Sequence, residues 1–323
     1  MSDQRAVVLG AGGFLGSHLC RRLAADGWRV TAVVRDAAAP HVCVRLGEAV
    51  DEVELVAADA FDADFLARIV AEADAVFPFA AHSGATRSMR EPFADVAANA
   101  VGQLAVLEAV RVANPEARLV FPGSRLQYGR VLSLPVTEAH PQVPTSLYGL
   151  HKATGESYHR LYHELYGLAT CMLRISIPYG PHQDRPDRAF GVVGTFLATA
   201  ARGGEIALYG GGTQRREYVF VDDLVDLCVI AATHPGAVGQ VFNAGGPRPV
   251  SVREMAETVV RVVGSGHAVD APWPALEAAV ETGDYVGDLS RVAAVLGWSP
   301  TTDLFDGLAH TWAALEPALA GVT

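Results

Sequence analysis

Ala6-Val7-Val8-Leu9-Gly10-Ala11-Gly12-Gly13-Phe14-Leu15-Gly16 is the stretch whose reading decides the fold. Its four apolar residues read as a short strand buried on both faces. The glycines that end it lead into Ser17 to Asp26, where apolar residues recur at helical spacing, and Arg29 to Val34 follows as a second β-rich run. The chain therefore opens β-α-β. A turn without side chains, set between that strand and that helix, lets a pyrophosphate touch backbone N–H groups at the helix N-terminus. Elsewhere a glycine cluster would be an ordinary tight turn; here Gly10, Gly13, Phe14, Leu15 and Gly16 are predicted to hold a dinucleotide.

The alternation continues outward. Val53 to Ala57 reads as strand, Phe61 to Ala71 as helix, Ala75 to Phe79 as strand, Asp95 to Val112 as helix and Arg118 to Phe121 as strand. Such a rhythm predicts a parallel sheet covered on both faces. After about residue 174 it loosens into loops such as Pro178-Tyr179-Gly180-Pro181 and Tyr209-Gly210-Gly211-Gly212. The expected fold is α/β, a doubly wound parallel-sheet Rossmann domain with a smaller, interleaved α/β substrate domain. The first is expected over 1–174 plus about 217–245, the second over about 175–216 plus 246–323.

Composition narrows the function. At 323 residues, 50% of them apolar, the chain can bury a large core without disulfide or metal staples. Its 25 basic and 36 acidic residues give a net charge of −11, a field that repels phosphate backbones and argues against a nucleic-acid partner. No apolar run in the sequence approaches the roughly 18 to 20 residues of a spanning helix, and Met1 to Arg5 precede the first strand without a signal-peptide core. A cytoplasmic protein with no membrane partner is expected. Cys20, Cys43, Cys171 and Cys228 are widely spaced, which fits buried thiols in a reducing compartment and predicts no metal site.

Lys152 is the single lysine, all other basic residues being arginine. It stands four residues after Tyr148, so the phenol and the ammonium share one helix face. A cation there can lower the tyrosine pKa from about 10 toward the working range, as arginine, with its wide fork and fixed charge, cannot. Upstream, Ser124 ends the strand-like run Phe121-Pro122-Gly123, where an α/β sheet presents ligand-facing groups. Ser124, Tyr148 and Lys152 are the expected catalytic residues.

The Gly-x-x-Gly-x-x-Gly spacing at 10, 13 and 16 resembles the short-chain dehydrogenase/reductases. The resemblance to their extended branch, the NAD(P)-dependent sugar-nucleotide epimerases, dehydratases and ketoreductases, covers nearly the whole chain. Its landmarks look like Ala80-Ala81-His82, Asn99 with Gly102, Leu173-Arg174 through Tyr179-Gly180-Pro181, Arg216-Glu217-Tyr218 through Asp222-Asp223, and Leu296-Gly297-Trp298-Ser299-Pro300. What it implies is that Ser124 and Tyr148 bond the substrate oxygen, that Tyr148 moves its proton, and that hydride passes between the nicotinamide and the carbon bearing that oxygen. It also places Asp59 and Ala60 near the adenine, adds Ala80, Ala81, Asn99, Tyr148 and Lys152 to the cofactor contacts, and gives His82, Ser124, Arg125, Ile177 and Arg216 to the substrate. Its members often form homodimers through two long helices, here about Asp95 to Val112 and Ser146 to Tyr166. Counted against it, the acidic position for the ribose 2′-hydroxyl falls on Val34, leaving Arg35 to face a 2′-phosphate. NADP(H) is therefore favoured, with Asp36 turning in to hold NAD(H) as the alternative.

The chain departs from that pattern in places. Ile177 stands where an asparagine often holds the sugar nucleotide, and Glu281-Thr282-Gly283-Asp284 replaces an arginine-led segment that contacts the nucleotide. His82, His151 and His182 fall near the pocket, and none is assigned catalysis. Dehydratases follow the catalytic hydroxyl with Asp-Glu and decarboxylases carry Glu there; Arg125-Leu126 disfavours both. A nucleotide-hexose 4-ketoreductase is expected first, on the strength of Arg35, with a nucleotide-sugar C4 epimerase that retains its NAD(P) as the alternative. A reductase of a non-nucleotide keto substrate and a non-enzymatic cofactor sensor stand behind them.

Overall fold

The computed structural model describes residues 4–183 and 191–320. The chain runs β1 (Arg5–Leu9), α1 (Phe14–Ala25), β2 (Arg29–Val34), α2 (Pro40–Leu46), β3 (Glu54–Ala57), α3 (Ala63–Val70) and β4 (Ala75–Pro78). Next come α4 (Ala85–Arg90), α5 (Pro92–Val96), α6 (Gly102–Ala113), β5 (Arg118–Ser124), α7 (Leu147–Tyr166) and β6 (Thr170–Ile175). The remainder is β7 (Ile177–Tyr179), α8 (Gly191–Ala201), β8 (Glu205–Tyr209), β9 (Arg215–Phe220), α9 (Val221–Thr233), β10 (Gln240–Ala244) and β11 (Pro249–Ser251). It ends with α10 (Val252–Val263), β12 (His267–Ala271), α11 (Ala275–Val280), α12 (Ser290–Leu296) and α13 (Leu304–Ala320).

Seven strands form one sheet in the order β10-β6-β5-β4-β1-β2-β3, every pairing parallel. Ala6 and Val8 enter the core on one face with Leu19, Leu23 and Leu224, whereas Val7 and Leu9 enter the other with Leu66 and Leu107. Two-sided burial is why β1 reads as a continuous apolar run, since successive side chains of a strand point to opposite faces. The strand order reverses between β1 and β4, which opens a crevice at their C-terminal ends.

β7 pairs parallel and β11 antiparallel with β9, while β8 and β12 form a separate parallel pair. Their core gathers Tyr179, Phe196, Leu208, Phe220, Met255 and Leu308. Because β9 belongs to this group, the chain returns to the large sheet's core with α9, whose Leu224 and Leu227 pack there beside Trp298.

Two sequence expectations need correcting. Pro92–Ala113 forms a 22-residue helical stretch that is apolar and long enough to cross a membrane by composition alone. A five-residue π-helical turn, Ala97–Val101, splices α5 to α6, so the stretch is longer than periodicity indicated. It carries the buried polar residues Asp95, Asn99 and Gln103 and packs against α3 and α7, as a core helix does. Among the cysteines, Cys20, Cys171 and Cys228 are buried but Cys43 is exposed on α2.

Candidate active site

The glycine loop is held by close backbone approaches. Gly10 has φ +85°, and a Cβ on it would lie 2.6 Å from the Ala80 nitrogen; a Cβ on Gly16 would lie 2.3 Å from the Gly10 carbonyl oxygen. A side chain at either position would push β1 away from the end of β4 or from α1. Gly13 N-caps α1, and that helix has neither a side-chain cap nor an acidic residue in its first turn. An uncapped N-terminus under a glycine cradle fits a dinucleotide's pyrophosphate, with Gly10, Gly13, Phe14, Leu15 and Gly16 on the wall of the crevice.

Ser124 ends β5 in extended conformation. Its backbone N–H donates to Gln127 Oε1 (2.7 Å) and its hydroxyl accepts from the Leu126 N–H (3.2 Å), a reciprocal capping box. Gln127 Nε2 in turn donates to Glu156 Oε2 (2.7 Å), which the Arg174 fork grips at 2.8 and 2.6 Å through its two oxygens. This buried chain fixes the direction of Ser124. Two signals for it stood in the sequence, the Ser-x-x-Gln spacing and Glu156 one helical turn after Lys152.

Tyr148 and Lys152 come from the first turns of α7, where Ser146 Oγ accepts from the Gly149 N–H (3.2 Å). Lys152 is 1% exposed; its Nζ donates to the Pro122 carbonyl (2.8 Å) and lies 5.9 Å from the Tyr148 ring centroid. Burial pushes the ammonium down to about 8, against the pull of Asp95. Burial likewise pushes the Tyr148 phenol up to about 12, while its hydrogen bond with Ser124 works the other way. At rest the phenol is protonated and the lysine holds its charge at neutral pH.

These three residues and the glycine loop line one cleft of about 610 Å³, together with Ala81, Arg125 and Ile177 from the sequence expectations. Arg45, Ser83, Arg87, Ser176 and Gln183 also line it and escaped sequence reading. Arg45 donates to the carbonyls of Gly12 (2.9 Å), His182 (2.9 Å) and Gln183 (3.2 Å), pinning the glycine loop to the segment after β7. Nothing local in α2 marks that role, because its partners are mostly distant in sequence.

Other expected site residues lie outside the cleft wall. His82 is buried between Asp95 (Nδ1 to Oδ2, 3.2 Å) and Glu91 (Nε2 to Oε2, 2.8 Å), and His151 Nδ1 meets the other Asp95 oxygen at 2.6 Å. Both rings are thus hydrogen-bonded to Asp95, and neither is among the residues lining the cleft. Arg216 is also turned inward, bound to Glu281 Oε1 and the Gly283 carbonyl. Asn99 is buried, donating to the His82 carbonyl (2.6 Å), with its Oδ1 unpartnered. Asp59 caps the turn at Phe61 (3.0 Å), and Ala60 is buried in the core beneath. At the end of β2, Val34 is buried, Arg35 is exposed, and Asp36 accepts from the Ala38 N–H (2.9 Å).

A doubly wound sheet whose crevice joins an uncapped helix N-terminus to a Ser, Tyr and Lys set defines a dinucleotide-dependent oxidoreductase-type enzyme of the extended short-chain class. Residues 6–245 match the NAD dependent epimerase/dehydratase family. The chain belongs to that family. It is 34% identical over 316 residues to a UDP-glucose 4-epimerase of Mycolicibacterium smegmatis, covering 95% of this chain and 97% of the relative. A UDP-glucose 4-epimerase structure with UDP-glucose from Thermotoga maritima superposes with a TM-score of 0.88 at 27% identity, over 98% of this chain and 100% of the other. A UDP-glucuronic acid 4-epimerase from Bacillus cereus, in complex with UDP-glucuronic acid and NAD, gives 0.85 at 25% identity, over 97% and 99%.

Proposed function

We propose that the protein is a nucleotide-sugar C4 epimerase that works with a retained NAD. The supporting observation is a cleft with the proton-handling set of Ser124, Tyr148 and Lys152 and, among the described residues lining it, no carboxylate. Such a wall can move one proton but offers no further acid and base to expel water, which disfavours dehydration. The M. smegmatis and B. cereus relatives carry 4-epimerase names, and these support epimerisation ahead of the ketoreductase expected from Arg35.

Bound NAD would supply a hydride acceptor and donor beside the substrate carbon. Ser124 Oγ orients the substrate oxygen, held in direction by Gln127 and Glu156. With NAD bound, the Lys152 cation and the positive nicotinamide ring would hold Tyr148 as its phenolate; Tyr148 Oη then takes the proton from that oxygen, stands as the phenol, and returns the proton to restore the phenolate. Gly10 and Gly16 let the loop close against the end of β4 and against itself, while the first turn of α1 would hold the pyrophosphate's charge. For the cofactor's far end, Val34 offers no acceptor to a 2′-hydroxyl, Asp36 is engaged with Ala38, and Arg35 is the exposed cation. That set supports acceptance of NADP alongside NAD.

We keep the two-part division as a proposal, with the dinucleotide part over 4–174 and 221–245 once β9 is assigned to the second. Homodimerisation through α5, α6 and α7 is likewise proposed, supported by Phe93, Val101, Leu161 and Leu165, exposed at 85%, 61%, 46% and 63%. The test of function offers UDP-glucose, UDP-galactose, UDP-glucuronate and UDP-galacturonate separately, without added cofactor, and follows products by NMR. A product differing only at C4 is expected. Consumption of NADPH by a 4-keto sugar nucleotide, with no epimer formed from any 4-hydroxy sugar, would restore the ketoreductase.

A further inference from the structure

We propose that Arg125 is the specificity residue of the cleft and binds a carboxylate on the sugar ring, making a nucleotide-linked hexuronic acid the preferred substrate. This rests on the epimerase reading and narrows it. In a chain of net charge −11, the described residues lining the cleft include Arg45, Arg87, Arg125 and Lys152 and no acidic side chain, so the site is built for anions.

Three of those cations are committed within the protein. Arg45 serves three carbonyls, Arg87 Nη2 pairs with Glu91 (3.0 Å), and Lys152 donates to Pro122. Arg125 differs. Its one hydrogen bond among the described residues runs from Nη1 to Thr282 Oγ1 (3.1 Å), and its guanidinium lies 5.6 Å above the Tyr285 ring.

The carboxyls in its surroundings are occupied elsewhere. Glu281 Oε1 accepts from Arg216 and from the Gly283 N–H (2.8 Å), and Glu217 Oε2 accepts from the Gly287 N–H (3.0 Å). Arg216, Tyr218 and Tyr285 complete the ionisable groups acting on it, and Arg216 has the same charge. Burial pushes the Arg125 guanidinium down to about 10, with Glu281 pulling the other way, and among the described residues no carboxylate makes an ion pair or hydrogen bond with it. A half-buried cation of this kind on the cleft wall is stabilised when an anionic ligand neutralises it. Arg125 directly follows Ser124 and lines the same cleft, on the side of Thr282 and Tyr285, so a sugar whose oxygen meets Ser124 would present its neighbouring groups to this cation. A C6 carboxylate meets that demand and accepts the planar fork through two oxygens, whereas a neutral C6 hydroxymethyl cannot neutralise it.

The test compares wild type, Arg125→Gln and Arg125→Lys, with folding checked by circular dichroism. Each is assayed for C4 epimerisation of UDP-glucuronate and UDP-glucose, and for calorimetric binding of both. Wild type should favour the uronate at least tenfold in kcat/KM and in affinity. The uronate-to-glucose ratio should fall at least thirtyfold in Arg125→Gln and less in Arg125→Lys, chiefly through KM. Turnover of UDP-glucose without preference for the uronate would overturn the inference and leave the epimerase reading standing. An equal loss for both sugars would also overturn it, by assigning Arg125 to the shared diphosphate. If wild type epimerises neither sugar the function falls, and binding alone then decides the uronate preference.

Discussion

Replacing Lys152 with methionine should abolish activity and yet stabilise the cofactor-free protein. The side chain is 1% exposed, and burial moves its ammonium from an ordinary 10.5 to about 8. A displacement of that size corresponds to about 3 kcal/mol of cost in the charged form at pH 7. Methionine has a similar volume and forfeits the charge-assisted hydrogen bond to the Pro122 carbonyl, worth about 2 kcal/mol. The net gain is about 1 kcal/mol, or about 2 °C in Tm. The pH dependence follows with a definite sign. Between about pH 8 and 10.5 the unfolded chain binds a proton that folded Lys152 has released, so wild-type stability rises with pH across that window. Below it the full cost is present, and the methionine variant should lack that component of the slope. Thermal and urea unfolding of both proteins, stripped of nucleotide, from pH 7 to 10.5 measure this directly. A variant less stable than wild type at pH 7, with an unchanged slope, would mean that Lys152 carries no unpaired charge in the fold.

Tyr148→Phe removes the oxygen proposed to move the proton and leaves the ring packed, so turnover should fall at least a hundredfold with cofactor affinity within about threefold; steady-state assay and calorimetry check both. Arg35→Ala should weaken NADP about tenfold and leave NAD unchanged, because only the 2′-phosphate meets the exposed guanidinium; equal titrations for both nucleotides would sink that role. Leu150, Leu161 and Leu165 fall within about 60° of one another on α7, and all three are exposed. Leu165→Asp should therefore shift the protein from dimer to monomer in light scattering coupled to gel filtration.

The sequence by itself determined the parallel α/β scaffold and the glycine loop, and it put Tyr148 and Lys152 on one helix face and Ser124 at a strand end. Each is a local pattern: β1 is apolar throughout because both sheet faces are buried, Gly10 and Gly16 stand where the backbone closes on itself, and four residues on a helix share a face. Element ends shifted by a few residues, as at α1, which begins at Phe14 because the uncapped turn belongs to the glycine loop. Tertiary structure alone decided which charged side chains remain available to a ligand. Arg216 reads as a substrate grip until Glu281, 65 residues later, folds against it. His82 reads as a pocket residue until α5 brings Asp95 to its ring, and Arg45 carries no signal until the fold brings it to Gly12. A guanidinium's role depends on whether a carboxylate is within reach. Near Arg125, Glu217 bonds to Gly287 and Glu281 to Arg216, a matter of long-range packing that no local spacing encodes.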